Sequence, residues 1–199
     1  VVVIGGGTAG LEAACTAAEV GCNTFLLEKG SELGGLASLI SKIPAKNRLA
    51  DFPHYLMHRA EQLENLYIFT NTEGTPENIR KFHPNIIVSS TGSAPLLPPI
   101  AGLKDRIDNE NYNIYSILGM INHINDFPKD LEGKKVVVVG GGAVGLDVVE
   151  FFADRNADIS IVEMMDQIGR DLDPVSKNDT KAMMKKHNVH QLTKTALLE

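Results

Sequence analysis

Two short stretches of this chain have the residue types and spacing to hold a phosphate. They are Gly5-Gly6-Gly7-Thr8-Ala9-Gly10 and Gly140-Gly141-Gly142-Ala143-Val144-Gly145, both of the form G-x-G-x-x-G. The first spaced glycine (Gly5, Gly140) permits a tight turn. The second (Gly7, Gly142) lets a pyrophosphate approach the main chain without meeting a Cβ, and the third (Gly10, Gly145) lets the following helix lie close to its strand. The phosphates would then sit on a helix N-terminus of bare backbone, at Thr8-Ala9 in one stretch and Ala143-Val144 in the other. An acid completes each set. Glu28 and Glu163 each lie 18 residues beyond the third glycine, near the distance at which a carboxylate accepts hydrogen bonds from an adenosine ribose diol.

The elements that must position these residues occur in the same order twice. Shifted by 135 positions, residues 1–28 fall on residues 136–163 without a gap. Each copy opens on four β-branched residues, 1–4 and 136–139, which predict a strand buried on both faces of a parallel sheet. A helical stretch follows the glycines, 11–18 and 146–153, and a second strand, 24–27 and 159–162, ends at the acid. One G-x-G-x-x-G alone is weak, because glycine turns also arise for steric reasons; strand, turn, helix, strand and acid repeated in order are specific. The pattern predicts an α/β chain of two Rossmann-like, three-layer dinucleotide-binding domains with parallel sheets. Two such sites suggest two cofactors that exchange electrons.

The bulk composition fits that reading and excludes others. Of 199 residues, 43% are hydrophobic and 22% charged, a globular balance far from that of disorder. A formal charge of -6 without a long basic run leaves no footprint for nucleic acid or an anionic membrane surface. The longest apolar runs are strand-sized, well short of the roughly 20 residues of a membrane helix. Cys15 and Cys22 have neither CxxC nor metal-ligand spacing and read as ordinary thiols of a reducing, cytoplasmic setting. His54, His58, His83, His123, His187 and His190 show no triad or metal pattern and are expected on the surface. The chain opens on a strand pattern with no initiator Met, so we expect a piece of a longer polypeptide.

The two copies diverge after the acid. Beyond Glu28 comes Lys29-Gly30-Ser31-Glu32-Leu33-Gly34-Gly35-Leu36, where a second glycine pair gives a bulky ligand room. This run resembles the E-K-x-x-x-x-G-G continuation of FAD-binding domains in the glutathione reductase-like superfamily, whose glycines lie near the cofactor pyrophosphate. Residues 85–89 predict a buried strand leading to Ser90-Thr91-Gly92, which resembles the Ala-Thr-Gly motif by which those enzymes leave the FAD domain; Ser90 stands for the usual Ala. Pro95, Pro98 and Pro99 mark a stiff crossing, and polar residues 104–135 are expected to be linker and entry to the second domain. The expected domains are 1–103 and 104–199. After Glu163 the second copy has Met164-Met165-Asp166-Gln167-Ile168-Gly169-Arg170 in place of a glycine pair, which makes it the candidate nicotinamide site. Glu163 would repel a ribose 2′-phosphate, favouring NADH over NADPH, with Arg170 the residue able to reverse this.

With these motifs placed, the chain resembles the C-terminal part of the NADH:flavin oxidoreductase, 2,4-dienoyl-CoA reductase and 2-enoate reductase group. The likeness is strongest from Gly34-Gly35-Leu36 to Ile43-Pro44-Ala45-Lys46 and into the helical region 51–66. It implies FAD contacts at Gly35, Leu36 and Lys46, although Leu36 stands where Gln is common and Lys46 also reads as a solvated lysine. Residues 67–71 would form the third strand, with Glu73 just past its end, facing an adenine or serving as a plain turn acid. The resemblance implies that NADH at 140–145 reduces FAD at 5–10. Electrons then pass to FMN and an iron–sulfur cluster in the remaining domains of the parent chain, which reduce an enoate or enoyl-CoA double bond. The Gly-Asp motif that closes such FAD sites is absent, so both domains are expected to be incomplete. A disulfide reductase would need a cysteine pair after the glycine pair, which this sequence lacks. A ferredoxin-reductase-like enzyme and a non-catalytic nucleotide-binding module remain as alternatives.

Overall fold

Valines and isoleucines, whose branched side chains suit a pleated surface buried between layers, open the first sheet. In the computed structural model, which describes residues 1–198, β1 (Val2–Ile4), β2 (Thr24–Leu27), β3 (Leu66–Phe69) and β4 (Ile87–Ser89) form a wholly parallel sheet in the order β3-β2-β1-β4. Their ends are level: Ile4 pairs with Leu27 and Ser89, and Leu27 with Phe69. Whatever follows those residues therefore collects along one sheet edge. The connecting helices are α1 (Thr8–Glu19), α2 (Gly35–Ile40), a 3-10 segment (Pro44–Ala50), α3 (Asp51–Glu61) and α4 (Pro76–Arg80).

Helix α1 is alanine-rich, a composition of high helix propensity and low bulk that lets it lie close to the strands. Leu11, Leu26 and Leu56, from α1, β2 and α3, are fully buried in one core cluster with Val3, Ala14 and Cys15. Burial of each leucine contributes about 2 kcal/mol. Burial also raises the Cys15 thiol pKa above its ordinary value. Across the rim of this contact, Arg59 of α3 reaches both Glu12 at 2.9 Å and Glu19 at 2.6 Å on α1. Its fork hydrogen bonds hold the Glu19 carboxyl below the usual range. Gly21 ends α1 with φ +91°, donating to Ala18 O while Cys22 N donates to Ala17 O, a Schellman motif.

The second sheet repeats the first three strands. β5 (Lys135–Val139), β6 (Asp158–Val162) and β7 (His190–Leu192) are parallel in the order β5-β6-β7. They are accompanied by α5 (Leu103–Arg106), α6 (Ile117–Asn122), α7 (Ala143–Ala153) and α8 (Pro174–Lys186). The same helix stop recurs, with Asn156 at φ +62° in the place of Gly21 and the bonds Asn156 N to Ala153 O and Ala157 N to Phe152 O. Asn is the non-glycine residue that tolerates this conformation best.

Contacts divide the chain into two units, residues 1–96 and the part from Leu97 onward, where the prolines and polar stretch had suggested 103/104. Residues 104–135 are more than a linker. Met120, Ile121, Ile124 and Leu131 from this stretch are buried, because α6 presents an apolar run to the second unit's core. Both repeat helices start three residues earlier than expected, at the residue after the second glycine, since the third glycine is already helical. The third strand is shorter than residues 67–71, spanning Leu66–Phe69, and the helical region ends at Glu61. Two strands expected to be buried on both faces are not. Val137 and Val139 of β5 are 62% and 47% exposed, and Ile87 of β4 is 52% exposed, since among the described residues helices cover only the opposite face there.

Candidate functional site

The first glycine loop runs from the end of β1 into α1. Gly5 has φ +99°, a conformation that side-chain-bearing residues rarely adopt, and its amide donates to Leu27 O. A Cβ on Gly10 would lie 1.8 Å from Gly5 O, so the third glycine is what allows the helix to rest on the turn. Gly7, the helix N-cap, has no side-chain partner, and a Cβ there would meet only Gly35 Cα at 3.9 Å. Thr8 and Ala9 follow as the first turn of α1. This is an open helix mouth of bare backbone, the geometry that suits a phosphate.

Glu28 lies immediately after β2 and is clamped to this loop. Its Oε2 accepts the Gly6 N–H at 2.6 Å and its Oε1 accepts the Gly30 N–H at 2.6 Å. Two strong charge-assisted bonds fix the carboxylate at the loop's flank while leaving lone pairs for a ligand diol. Leu33 presses on Gly6, and Gly34 N donates to Gly6 O at 2.8 Å. Gly35, at φ +57°, packs so tightly on the loop that a Cβ would come within 2.9 Å of Gly7 Cα. The glycine pair thus serves loop packing directly.

The second loop reproduces these contacts. Gly140 has φ +105°, and a Cβ on Gly145 would lie 1.9 Å from Gly140 O. Glu163 Oε2 accepts from Gly141 N at 2.6 Å and its Oε1 from Met165 N at 2.7 Å. Ile168 presses on Gly141 as Leu33 does on Gly6, and Gly169 N donates to Gly141 O at 2.7 Å. The repeat therefore runs to Gly34 and Gly169, further than the acid at which the sequences visibly part. Where the first copy has Gly35-Leu36, the second has Arg170-Asp171.

One expectation needs correction here. The helix mouth at Ala143-Val144 is not wholly bare: Asp171 Oδ2 accepts from Ala143 N at 3.3 Å and lies 3.4 Å from where a Gly142 Cβ would be. An open cavity of about 380 Å³ lies in front of this mouth, lined by Gly141, Gly142, Glu163, Met165, Arg170 and Asp171 among others. Val144 is 56% exposed beside it.

The remaining predicted residues spread along the first unit's edge. Thr91 and Gly92 follow β4, and Thr91 Cα would lie 3.2 Å from a Gly5 Cβ. Glu73 is exposed four residues past β3, its carbonyl accepting from Thr75 N and Asn78 Nδ2. Lys29 is exposed beside Glu28, Leu36 is 48% exposed in the first turn of α2, and Lys46 is half-buried in the 3-10 segment. Sequence reasoning missed three features. Ser90 is more than a small residue, since its hydroxyl donates to Ile4 O at 2.8 Å and Gly5 O at 3.2 Å. Asp171 carried no visible signal. The turn after the third strand is itself repeated: Asn71 and Lys194 both have φ +51° and donate to Gly30 O and Met165 O, while Thr72 N and Thr195 N donate to the carbonyls of Glu28 and Glu163. Its signal is the run Thr-x-Thr at 70–72 and 193–195.

The residues present fit a dinucleotide in each unit: a cradle that a Cβ would fill, a helix mouth and a clamped acid at the adjacent strand end. Among the described residues no helix is long and apolar enough to cross a membrane. The chain is 32% identical over 199 residues to an NADH oxidase of Thermoanaerobacter brockii, covering all of this chain and 29% of that protein. It is 29% identical over 174 residues to a cinnamate reductase of Clostridium sporogenes, covering 84% of this chain and 23% of the relative. Among solved structures, a 2-naphthoyl-CoA reductase in complex with 2-naphthoyl-CoA superposes with a TM-score of 0.78 at 25% identity, over 98% of this chain and 28% of that one. The chain thus spans less than a third of the length of these relatives. The family model for pyridine nucleotide-disulphide oxidoreductases matches residues 1–199, and with two glycine cradles each clamped by its own acid, the chain belongs to that family of flavin-dependent pyridine nucleotide oxidoreductases.

Proposed function

We propose that this chain is the dinucleotide-handling part of a larger flavoprotein, its first unit holding FAD and its second NADH. The observation that carries the assignment is the duplicated clamp, in which the acid after the second strand takes the amide of the loop's second residue at 2.6 Å in both units. Bound flavin supplies the hydride chemistry; the protein groups position it. In the first unit Gly5, Gly7 and Gly10 shape the turn, and the Thr8 and Ala9 amides face the pyrophosphate. Glu28 presents its free lone pairs to the adenosine ribose, while Lys29, Gly35, Leu36, Lys46, Glu73, Thr91 and Gly92 rim the rest. Gly140, Gly142 and Gly145, with the Ala143 and Val144 amides, do the same for the nicotinamide cofactor. Glu163, a negative charge fixed where a 2′-phosphate would arrive, favours NADH over NADPH.

We further place the division between the two binding domains at the proline-rich crossing, and the protein in the cytoplasm, where Cys15 and Cys22 stay as thiols. FMN and an iron–sulfur cluster belong, in this reading, to the remainder of the parent chain, which ends the path by reducing an enoate or enoyl thioester double bond. The names of the cinnamate and 2-naphthoyl-CoA reductases support an unsaturated acid or thioester as acceptor. The test is NADH oxidation by the full-length protein with an artificial acceptor, with FAD present or removed. Flavin-dependent turnover with a higher kcat/KM for NADH than NADPH is expected. Absence of flavin-dependent turnover would refute the enzyme reading, and a preference for NADPH would refute the role given to Glu163.

A further inference from the structure

The two cradles superimpose in their backbone contacts and differ in what faces the helix mouth. At Gly7, the space that the missing Cβ leaves is open apart from Gly35 Cα at 3.9 Å. At Gly142, the corresponding space is met by both oxygens of the Asp171 carboxylate, at 3.4 and 3.7 Å. Asp171 also accepts the Ala143 N–H at 3.3 Å, an amide at the start of α7 that has no partner within the helix. A carboxylate there is an anion lying where a pyrophosphate would lie, and the positive helix end stabilises either. In the first copy the matching position is Leu36, which carries no charge.

We propose that Asp171 is a displaceable internal anion that occupies the second cradle until a pyridine dinucleotide replaces it. This rests on the second cradle being the NADH site. The contact is single, long and on an exposed side chain, so it yields to a ligand that offers two phosphates to the same amides. Until it yields, its charge opposes the incoming pyrophosphate, and Arg170 on the same cavity wall is the neighbouring cation available to it or to the ligand. The consequence is a lowered affinity for NADH and a helix mouth that stays satisfied between turnovers. The first cradle, built for a cofactor that stays, has no such occupant.

The test is equilibrium titration of the full-length protein and its Asp171→Asn and Asp171→Ala variants with NADH, ADP-ribose and adenosine. Removing the charge is expected to tighten NADH and ADP-ribose by roughly three- to thirty-fold, the span expected for one charge at a helix terminus. Adenosine, which has no phosphate, should bind all three proteins alike, and FAD affinity should not change. Added salt should narrow the gap between wild type and variants by screening the repulsion. Unchanged or weaker NADH binding in D171N and D171A would overturn the role of Asp171 while leaving the NADH site standing. Failure of wild type and variants alike to bind NADH or ADP-ribose would overturn the site itself, and the Asp171 role with it. A variant that tightens adenosine as much as ADP-ribose would show that the gain does not come from the phosphates, and would also refute the proposal.

Discussion

Replacing Glu28 by glutamine isolates the clamp on the first loop. The carboxylate takes the Gly6 N–H on one oxygen and the Gly30 N–H on the other, each at 2.6 Å. A glutamine amide offers one oxygen and one NH2 group, so whichever way it turns, one of those backbone donors faces another donor. The bond that survives falls from charge-assisted to neutral strength. A hydrogen bond to a charged group contributes about 1.5–3 kcal/mol and a neutral one about 1 kcal/mol. Losing one and weakening the other at this half-buried site therefore costs about 2–3 kcal/mol. At about 1.4 kcal/mol per factor of ten, the Gly6 amide in E28Q should exchange with solvent deuterium roughly 30- to 100-fold faster than in wild type. The second unit supplies the control. Glu163→Gln should speed exchange at Gly141 and Met165, whose amides it holds at 2.6 and 2.7 Å, and leave Gly6 alone. If Gly6 and Gly30 in E28Q stay within about threefold of wild type, the carboxylate does not hold the loop and the reasoning fails.

Gly10→Ala would set a Cβ 1.8 Å from Gly5 O, and Gly145→Ala one 1.9 Å from Gly140 O; each is expected to destabilise its own unit by about 3 kcal/mol, read by chemical denaturation, and a wild-type midpoint would refute the packing role. Stability should fall as pH drops below the ordinary glutamate value of 4.5, because Arg59 holds Glu19 lower than that in the folded state. The contribution is complete above 4.5 and lost as pH passes through the lowered value, so Arg59→Met should flatten this part of the acid limb of a pH–stability curve. Cys22, half-exposed, should react with a thiol reagent in the native protein, while Cys15, fully buried with its thiol pKa raised, should react only as the first unit opens; equal rates by mass spectrometry would contradict the core assignment.

Much of this architecture is legible in the chain because the phosphate turn is dictated by backbone sterics. Gly5, Gly10, Gly140 and Gly145 stand where a side chain would either strain the turn or collide with a carbonyl oxygen, so their spacing cannot drift. Glu28 and Glu163 were equally visible as the ends of β-branched runs, but their partners were not. An amide that donates to a carboxylate leaves no mark on residue type, and the clamp on Gly6 and Gly141 became apparent only in three dimensions. The extension of the repeat to Gly169 was hidden because Arg170 interrupts the glycine pair. The Thr-x-Thr turns were hidden because the second copy is shorter between its acid and its third strand, which breaks the constant offset. Exposure of Val137 and Ile87 was illegible in principle, since a run of branched residues reports that a face is apolar and says nothing of what covers it.

The turns after the third strands, at Asn71 and Lys194, are held by main-chain donors to main-chain acceptors, with one left-handed residue each. No side chain takes part in those two bonds, so selection can exchange the groups that project from them without disturbing the frame. The next residue is Glu73 in one copy and Ala196 in the other. A duplicated scaffold with a rim this indifferent to residue type can diverge toward two different adenine nucleotides while both halves keep the same way of folding.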